Sequence, residues 1–197
     1  MDKTIELKQI RNEVWNLKES PLYQYRTQNK YYPVIGEGNH DAKIMFIGEA
    51  PGEHEAKQGR PFCGAAGQVL TEMCTSIGLK RSDVYVTNIV KDRPPGNRDP
   101  LPEEIALYAP FLDKQILIIQ PDVIATLGRF SMRYIAEKYN LGDKITGISH
   151  VHGKTFEAWA DYGVITIVPL FHPAVALYKA DQRAILFQDF QVFKSFI

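Results

Sequence analysis

The stretch Lys43-Ile-Met-Phe-Ile-Gly-Glu-Ala-Pro-Gly-Glu-His-Glu55 joins an apolar run, typical of a buried strand, to a Gly/Pro loop that carries carboxylates. Two later runs have the same apolar character. One contains Asn88, and the other leads to Phe171-His-Pro-Ala174. In an open parallel sheet, ligands bind beyond the carboxyl ends of the strands. We therefore expect Glu49, Asn88 and His172 to meet in one crevice, in the layout of an active site.

Apolar runs and amphipathic segments alternate along the chain, which favours an α/β fold. The predicted architecture is a three-layer α/β/α domain with a short, mainly parallel, four-stranded sheet. No linker divides the chain, so we expect one domain over residues 1–197. Segment 23–33 has no clear period and is interpreted as a surface connection, whereas 155–159 predicts an added strand. The main predicted strands are 44–47, 84–90, 122–127 and 164–169, and the predicted helices are 67–77, 102–119, 128–139 and the tail.

The charge balance excludes a strong overall electrostatic field as the means of attracting a partner. The 23 Lys and Arg residues equal the 23 Asp and Glu residues, so any surface for nucleic acid must be local. The loop Lys91-Asp-Arg-Pro-Pro-Gly-Asn-Arg98 is one candidate for such a surface. The beginning of the chain lacks the pattern of a signal peptide, and no apolar run approaches the length of a membrane span. We therefore expect a cytoplasmic protein.

The two cysteines, Cys63 and Cys74, have neither the spacing of metal ligands nor that of a redox motif. Cys74 lies in an apolar helical segment, where a buried and inert thiol is expected. Cys63 follows Phe62 in a Gly-rich stretch, where packing is again the expected role. Neither thiol is predicted to be a nucleophile, and we expect no metal ion or cofactor.

Several short motifs in a fixed order carry a resemblance to a known family. The chain resembles the uracil-DNA glycosylase superfamily and is most similar to its family 4 enzymes. The resemblance covers about 34–174 and implies the fold and the base-excision activity of that superfamily. The motifs are Gly36-Glu-Gly-Asn39, Gly48-Glu-Ala-Pro-Gly-Glu-His-Glu55, Gly59-Arg-Pro-Phe62, Gly64-Ala-Ala-Gly67, Thr87-Asn-Ile-Val-Lys91, Arg93-Pro-Pro95 and Phe171-His-Pro-Ala174.

The chain departs from family 4 at the positions of an iron–sulfur cluster. The family holds a [4Fe–4S] cluster on four cysteines, which the resemblance places near Ser20, Tyr23 and Tyr108 and at Asp92. All four cysteines are absent, and a cluster needs about four thiolates. The resemblance thus implies a cluster-free branch. We expect a set of aromatic residues to pack in place of the cluster. This set comprises Tyr23, Tyr25, Tyr31, Tyr32 and Tyr108.

The resemblance assigns polar roles to two residues. His172 is similar to the family histidine that donates a hydrogen bond to uracil O2 as negative charge develops on the leaving base. Asn88 is similar to the asparagine that accepts from uracil N3–H and donates to O4, a pattern that cytosine reverses. Each residue also has a purely structural alternative, because a histidine or asparagine at a strand end can satisfy backbone groups.

The resemblance also assigns the walls and carboxylates of the site. Phe62 is similar to the aromatic residue that stacks on the flipped base, with a place in the core as its alternative role. Glu55 is similar to the family glutamate that orients water or balances the sugar cation. Glu49 and Ala50 line the pocket. The handling of the water is left open between the two glutamates.

Contacts with DNA are assigned to residues around the pocket. Gly64 precedes a helix and offers a backbone N–H group to a phosphate. Lys91, Arg93 and Arg98 add positive charge for phosphates. The stretch after His172 resembles the family loop that enters the minor groove, which implies that Leu177 or Tyr178 is the wedge that fills the vacated base position. Both could equally be ordinary residues at the beginning of a helix. These DNA-contacting residues are Gly64, Lys91, Arg93, Arg98, Leu177 and Tyr178.

Three functions compete at this point. The first is a monomeric, cofactor-free uracil-DNA glycosylase that acts on DNA containing uracil. The second is a catalytically weak or silent uracil-DNA binding protein of the same fold. The third is a small-molecule hydrolase that uses Glu49, Glu55 and His172 in a crevice at the sheet edge. The third function does not account for Phe62 and Asn88 together with the basic loop.

Overall fold

The centre of the fold is a six-stranded sheet in a computed structural model that describes residues 2–197. The strand order is β1-β3-β2-β4-β6-β5. Four strands, β3, β2, β4 and β6, run parallel, and β1 and β5 pair antiparallel at the two edges. The strands are β1 (Glu37–Gly38), β2 (Ile44–Gly48), β3 (Tyr85–Asn88), β4 (Val123–Leu127), β5 (Phe156–Ala160) and β6 (Gly163–Leu170).

The parallel strands are the four main strands that the sequence predicts. The two edge strands make the sheet larger than the predicted four strands. β5 corresponds to the weaker run at 155–159, whereas β1 has only two residues and gives no periodic signal. The α/β class and the mainly parallel sheet are confirmed.

Helices cover both faces of the sheet. Ile44 and Phe46 of β2 point into one core, with α4 and α8, and Met45 and Ile47 point into the other, with α1, α5 and α6. A parallel strand that is buried on both faces reads as a continuous apolar run, as β2 does. The helices are α1 (Lys3–Trp15), α2 (Tyr23–Gln28), α3 (Glu53–Gln58), α4 (Ala65–Ser76), α5 (Pro102–Ile119), α6 (Arg129–Lys138), α7 (Ile148–Val151) and α8 (Ala180–Asp189).

This arrangement is the three-layer α/β/α architecture that the alternation of apolar runs predicts. Among the helices described for residues 2–197, none has the length and apolar character that crossing a membrane requires.

The interpretation of 23–33 as a connection without secondary structure is wrong, because α2 lies within it. The helix is short and has no apolar stripe, so hydrophobic periodicity could not indicate it. Its buried residue is Arg26, which is only 4% exposed. The guanidinium donates to the carbonyl oxygens of Val14 (3.1 Å) and Trp15 (2.6 Å). These carbonyls belong to the last turn of α1, where backbone acceptors lack helical partners.

A buried hydrogen-bonded cluster joins the N-terminal helices to the chain beyond β3. Arg26 Nη1 donates to both carboxylate oxygens of Asp92, at 3.0 and 3.1 Å. The hydroxyl of Tyr108 donates to Asp92 Oδ2 at 2.6 Å. Ser20 Oγ lies 2.7 Å from the same hydroxyl and donates to it, since the Tyr108 proton is already used. We call Ser20, Arg26, Asp92 and Tyr108 the polar cluster.

Three of the four positions at which the resemblance places the cluster cysteines therefore lie in the polar cluster. The residues present, two hydroxyls and a carboxylate already paired with arginine, do not fit a [4Fe–4S] cluster, which takes thiolates. Cys74 belongs to α4 and lies in the core on the opposite face of the sheet, the core to which α8 also contributes. The expectation of aromatic packing at this place is confirmed for Tyr108, which lies in the core, and is wrong for the other four tyrosines, which are partly or largely exposed. Of the five tyrosines only Tyr108 is fully buried, and it acts through its hydroxyl.

We predict that Tyr108→Phe destabilises the protein by about 1–3 kcal/mol, because it leaves Asp92 with fewer partners in a buried site. Tyr108→Ala should cost about 2–4 kcal/mol, because it also leaves a cavity. Urea unfolding measures both changes. Tyr32→Phe, at a ring that is 49% exposed, is the matched control and should change stability by less than about 0.5 kcal/mol.

The same unfolding curve should be unaffected by a metal chelator, and the purified protein should be free of iron. A Tyr108→Phe variant as stable as the parent, or stoichiometric iron in the purified protein, would contradict this account of the polar cluster.

Candidate active site

A cavity of about 420 Å³ opens at the carboxyl ends of the parallel strands. It lies where β2, β3 and β6 end, which is the position that a parallel sheet predicts for a ligand. The structure brings eight of the predicted site residues to its lining. They are Glu49, Ala50, Glu55, Phe62, Asn88, Arg98, His172 and Tyr178.

His172 follows β6 and begins the turn Pro173–Leu177. Its Nδ1 accepts the backbone N–H of Ala174 at 3.2 Å. Burial lowers the pKa of His172 to about 4, although the charge of Glu55 acts in the opposite direction. The ring is therefore neutral at pH 7, and because Nδ1 is an acceptor, the proton resides on Nε2. His172 can therefore satisfy a backbone group and also serve a ligand. Because Nδ1 accepts the Ala174 N–H, Nε2–H is left as the donor that faces a ligand.

Asn88 is the last residue of β3 and is 2% exposed. Its Oδ1 is buried and has no hydrogen-bond partner within residues 2–197. Gly48 lies opposite in the parallel register, and a Cβ at Gly48 would lie only 2.3 Å from that oxygen. Glycine is therefore required for the close approach of β2 to the amide. A buried acceptor without a partner costs free energy, which a ligand that donates a hydrogen bond recovers.

Phe62 forms the apolar wall of the cavity. Its ring centre lies 5.7 Å from that of His172, with 31° between the ring planes. The backbone of Phe62 has φ of 48°, in the left-handed region that non-glycine residues seldom adopt. Gly67 packs so closely that a Cβ there would lie 1.7 Å from the Phe62 carbonyl oxygen. The Gly-rich flank therefore holds this ring in a strained turn beside the cavity.

Glu49 directly follows β2 and lies against the beginning of α6. Its Oε1 accepts the backbone N–H of Phe130 at 3.1 Å, which suits an anion at a helix N-terminus. Gly128 permits this approach, because a Cβ there would lie 2.3 Å from the same oxygen. Burial raises the pKa of Glu49, and the charge of Asp99 adds to the effect. Glu49 is thus the cavity carboxyl whose proton affinity the fold increases.

Glu55 has a different environment. It lies on α3, and its Oε1 accepts two backbone N–H groups, from Cys63 at 3.0 Å and from Gly64 at 2.8 Å. Its Oε2 lies beside Gly52, where a Cβ would be 2.7 Å away. The two hydrogen bonds fix the carboxylate in position at the cavity wall. A fixed carboxylate of this kind is suited to orienting a water molecule.

Comparison with known proteins identifies the family. A model described as the uracil DNA glycosylase superfamily matches residues 35–193. The chain belongs to this superfamily. It is 48% identical to the type-4 uracil-DNA glycosylase of Sulfurisphaera tokodaii, over 94% of this chain and 82% of the relative. It is 42% identical to the Archaeoglobus fulgidus type-4 enzyme, over 94% and 90% of the two chains. For the Thermotoga maritima type-4 enzyme the identity is 44%, over 90% and 87%. The resemblance to the uracil-DNA glycosylases is confirmed.

Three of the residues assigned to DNA phosphates are already engaged within the protein. Lys91 is fully buried, and its ammonium lies 2.5–2.8 Å from three protein oxygens. Arg93 is 8% exposed and donates to Asn97, Tyr31 and Glu53. The Gly64 N–H donates to Glu55. The interpretation of these three as phosphate contacts is therefore wrong for this conformation. Protein groups accept hydrogen bonds from every side-chain nitrogen of Lys91 and Arg93 and from the Gly64 N–H without DNA.

The other residues assigned to DNA are accessible. Arg98 borders the cavity and pairs with Glu104 through both terminal nitrogens, at 2.9 and 2.6 Å. Leu177 is 44% exposed, and Tyr178 is 83% exposed and lies at the mouth of the cavity. Of the two, only Tyr178 lines the cavity, and it places an exposed aromatic ring there.

Sequence reasoning missed one wall of the cavity. The turn after β3 contributes Pro94, Asn97, Asp99 and Pro100 to the lining. The sequence indicated only a basic loop here. The signal that could have revealed a wall is the Pro-Pro-Gly-Asn composition, since Asn97 and Gly96 both have positive φ in a tight turn. In the part of the chain that the structure describes, no group of three or more His, Cys, Asp and Glu residues could hold a metal ion.

We predict that NMR will find His172 neutral at pH 7, protonated on Nε2, with a pKa near 4. The physical cause is burial of the ring together with the Ala174 N–H at Nδ1. Long-range ¹H–¹⁵N spectra report both the tautomer and the titration, and a His172→Gln variant assigns the signal. A ring that titrates near 6.5 with its proton on Nδ1 would contradict this prediction.

Proposed function

We propose that this chain is a uracil-DNA glycosylase that flips uracil out of DNA and hydrolyses its N-glycosidic bond, leaving an abasic site. The observation that carries the proposal is the neutral His172, with Nε2–H as its free donor, in one cavity with the unpartnered amide oxygen of Asn88. The family membership and the type-4 relatives support the same activity.

The chemistry asks for stabilisation of a leaving anion. Cleavage of the glycosidic bond leaves an oxocarbenium-like sugar and negative charge on the uracil. In the proposed mechanism the Nε2–H of His172 donates to uracil O2 as this charge develops. Such a preorganised donor in a site that excludes water is worth about 10²–10³ in rate. A neutral imidazole suffices for this role, because no proton has to be transferred to the base.

Base recognition is assigned to Asn88 and Phe62. The target nucleotide must leave the stack before an enzyme can reach its glycosidic bond. We propose that Phe62 stacks on the extruded base, that Asn88 Oδ1 accepts from N3–H, and that the Asn88 amide group donates to O4. The unpartnered state of Oδ1 supports this orientation, since the protein provides no donor to it. Ala50 lines the same pocket through its backbone.

The water and the sugar cation are assigned to the carboxylates. Glu55 is held by two backbone N–H groups and is the better oriented of the two. Glu49 lines the same cavity, and its burial raises its pKa. We propose that Glu55 orients the attacking water and that Glu49 shapes the pocket. The DNA backbone would contact Arg98, and Tyr178 would enter the vacated position.

A single domain over 1–197, a cytoplasmic location and a monomeric state stay predictions from the sequence.

The decisive experiment measures release of free uracil from a short oligonucleotide that contains one deoxyuridine. The wild-type chain should release the base, and His172→Ala should lower the single-turnover rate by about 10²–10³ with little change in DNA affinity. His150→Ala, at an exposed histidine outside the cavity, is the matched control and should keep the wild-type rate. Binding without release would favour the silent binding protein, and neither would favour the small-molecule hydrolase.

We further predict that Asn88→Asp changes base choice. A carboxylate cannot donate to uracil O4, but it can accept from the exocyclic amino group of cytosine. The ratio of uracil to cytosine release should therefore fall, by about tenfold or more if one hydrogen bond is lost. Single-turnover rates on matched oligonucleotides give this ratio. Asn97→Asp makes the same change at another cavity amide and should keep the ratio. An Asn88→Asp variant with wild-type preference and rate would refute the assignment.

A further inference from the structure

Lys91 has no exposed surface and contacts the residue that is proposed to read the base. Its Nζ donates to the backbone oxygen of Asn88 at 2.6 Å, to Thr87 Oγ1 at 2.8 Å and to Gln115 Oε1 at 2.5 Å. An ammonium has three N–H donors, and here each has one acceptor. Burial lowers the pKa of Lys91 well below its ordinary value, so keeping an ammonium here depends on these acceptors.

The contact lies where the sheet has a gap. The edge strand β1 pairs with β3 only at Tyr85 and Val86. Main-chain pairing on this side resumes where Val34 N–H donates to the Lys91 oxygen at 2.7 Å. Between these points the end of β3 has no neighbouring strand on the β1 side, although β2 pairs with it on the other side. Side chains fill the gap: Thr87 Oγ1 and Gln115 Nε2 both donate to the carbonyl oxygen of Ile35, at 2.5 and 2.9 Å.

The Asn88 carbonyl points into this gap. The next N–H, that of Ile89, donates to the Gly48 oxygen of β2 at 3.1 Å. In a trans peptide the C=O and the following N–H point in opposite directions. The Asn88 oxygen is therefore directed away from β2, and Lys91 Nζ provides its short hydrogen bond. Thr87 Oγ1 lies 3.4 Å from this oxygen, but its single proton is donated to Ile35, so within residues 2–197 Lys91 provides the donor of the Asn88 carbonyl.

The side chain of Asn88 has no such support at its oxygen. Oδ1 is buried without a partner, so its direction depends on the backbone that carries it. A displacement of that backbone would move the amide relative to the cavity. Small displacements of binding groups from the productive geometry can cost about 10² in rate.

We propose that Lys91 is a positioning residue for base recognition, which holds the carbonyl of Asn88 and thereby directs its amide at the base. The inference rests on the proposed function, because it assigns Lys91 a part in reading uracil. It replaces the interpretation of Lys91 as a phosphate contact. Lys91 acts through Asn88 and does not touch the substrate.

The test is a double-mutant cycle in single-turnover uracil release. Lys91→Met keeps the unbranched shape and all but the last atom of the side chain and removes its donors. We expect it to lower the rate by about 10–100-fold in the wild-type background, with DNA affinity nearly unchanged. In an Asn88→Ala background, where no amide remains to be directed, the same change should cost less than about threefold. The same large factor in both backgrounds would overturn the proposal, because it would show a merely structural role.

Tyr108→Phe is the matched control, since it also removes a buried hydrogen bond but has no recorded contact with Asn88. Its effect should be the same factor in both backgrounds. Thermal melting establishes that each variant is folded at the assay temperature. If Lys91→Met does not fold, Thr87→Val removes one acceptor of Lys91 with little change of shape. Thr87→Val should lower the single-turnover rate by a smaller factor than Lys91→Met, and it should have almost no effect in the Asn88→Ala background. An equal reduction in both backgrounds would count against the proposal.

Crystal structures separate failure of this inference from failure of the proposed function. We expect the Asn88 amide to be displaced in Lys91→Met and unmoved in Tyr108→Phe, whether or not the wild-type chain turns over. An unmoved amide in Lys91→Met would overturn the positioning role. Absence of uracil release by the wild-type chain, with a displaced amide in Lys91→Met, would instead refute the glycosylase function alone.

Discussion

The segment that leaves β3 buries opposite charges in two consecutive residues, Lys91 and Asp92, both with no exposed surface. Taking charges out of water costs several kcal/mol for each ion unless partners replace the water. Lys91 is satisfied by neutral oxygens from β3 and α5, and Asp92 by Arg26 and Tyr108. The fold around the site depends on these two sets of partners.

The two sets organise different parts of the molecule. The partners of Asp92 bring the N-terminal helices α1 and α2 against α5. The partners of Lys91 close the gap beside the end of β3. Between them they fix the point at which the chain leaves the sheet and forms the cavity wall of Pro94 to Pro100. The position of that wall relative to Asn88 is therefore a consequence of buried electrostatics and not of loop packing alone.

The polar cluster also explains how this chain can be built without the four cysteines that the resemblance to family 4 enzymes predicts. Metal–thiolate bonds would hold three chain segments together by coordination: the N-terminal segment, the loop at Asp92 and the helix that carries Tyr108. Here hydroxyl, carboxylate and guanidinium groups hold them by hydrogen bonds, which require every partner to be present because a half-satisfied buried network is costly. Ser20, Asp92 and Tyr108 thus occupy three of the implied cysteine positions and are hydrogen-bonded to one another. Arg26 is the additional residue that compensates the charge of Asp92.

The sequence predicted the parts of the fold that hydrophobic patterning controls. The four parallel strands and the helix Pro102–Ile119 follow from apolar runs and from Gly and Pro at their ends. The strand β1 and the helix α2 escaped prediction because two residues have no period and because Arg26 is the only buried residue of α2. In both cases tertiary contacts provide the stability that local pattern does not indicate.

The residues of the candidate site also fall into those that the sequence predicted and those that it did not. Glu49, Asn88 and His172 were predictable because each ends an apolar strand, and parallel strands end at one edge. The burial of Lys91 was not predictable, because a lysine near a Pro/Gly loop resembles a surface residue. Its partner Gln115 lies 24 positions further along the chain, on α5. The hydrogen bond from the Gly64 N–H to Glu55 was not predictable for a similar reason. It depends on the turn between the two residues, which brings the backbone at Gly64 against the carboxylate.

The most direct test of the central claim is a crystal structure with free uracil bound in the cavity. The account predicts that N3 lies about 2.7–3.2 Å from Asn88 Oδ1 and that O2 lies at a similar distance from His172 Nε2. The ring should stack on Phe62. Uracil bound with a different edge toward Asn88, or with O2 away from His172, would contradict the account.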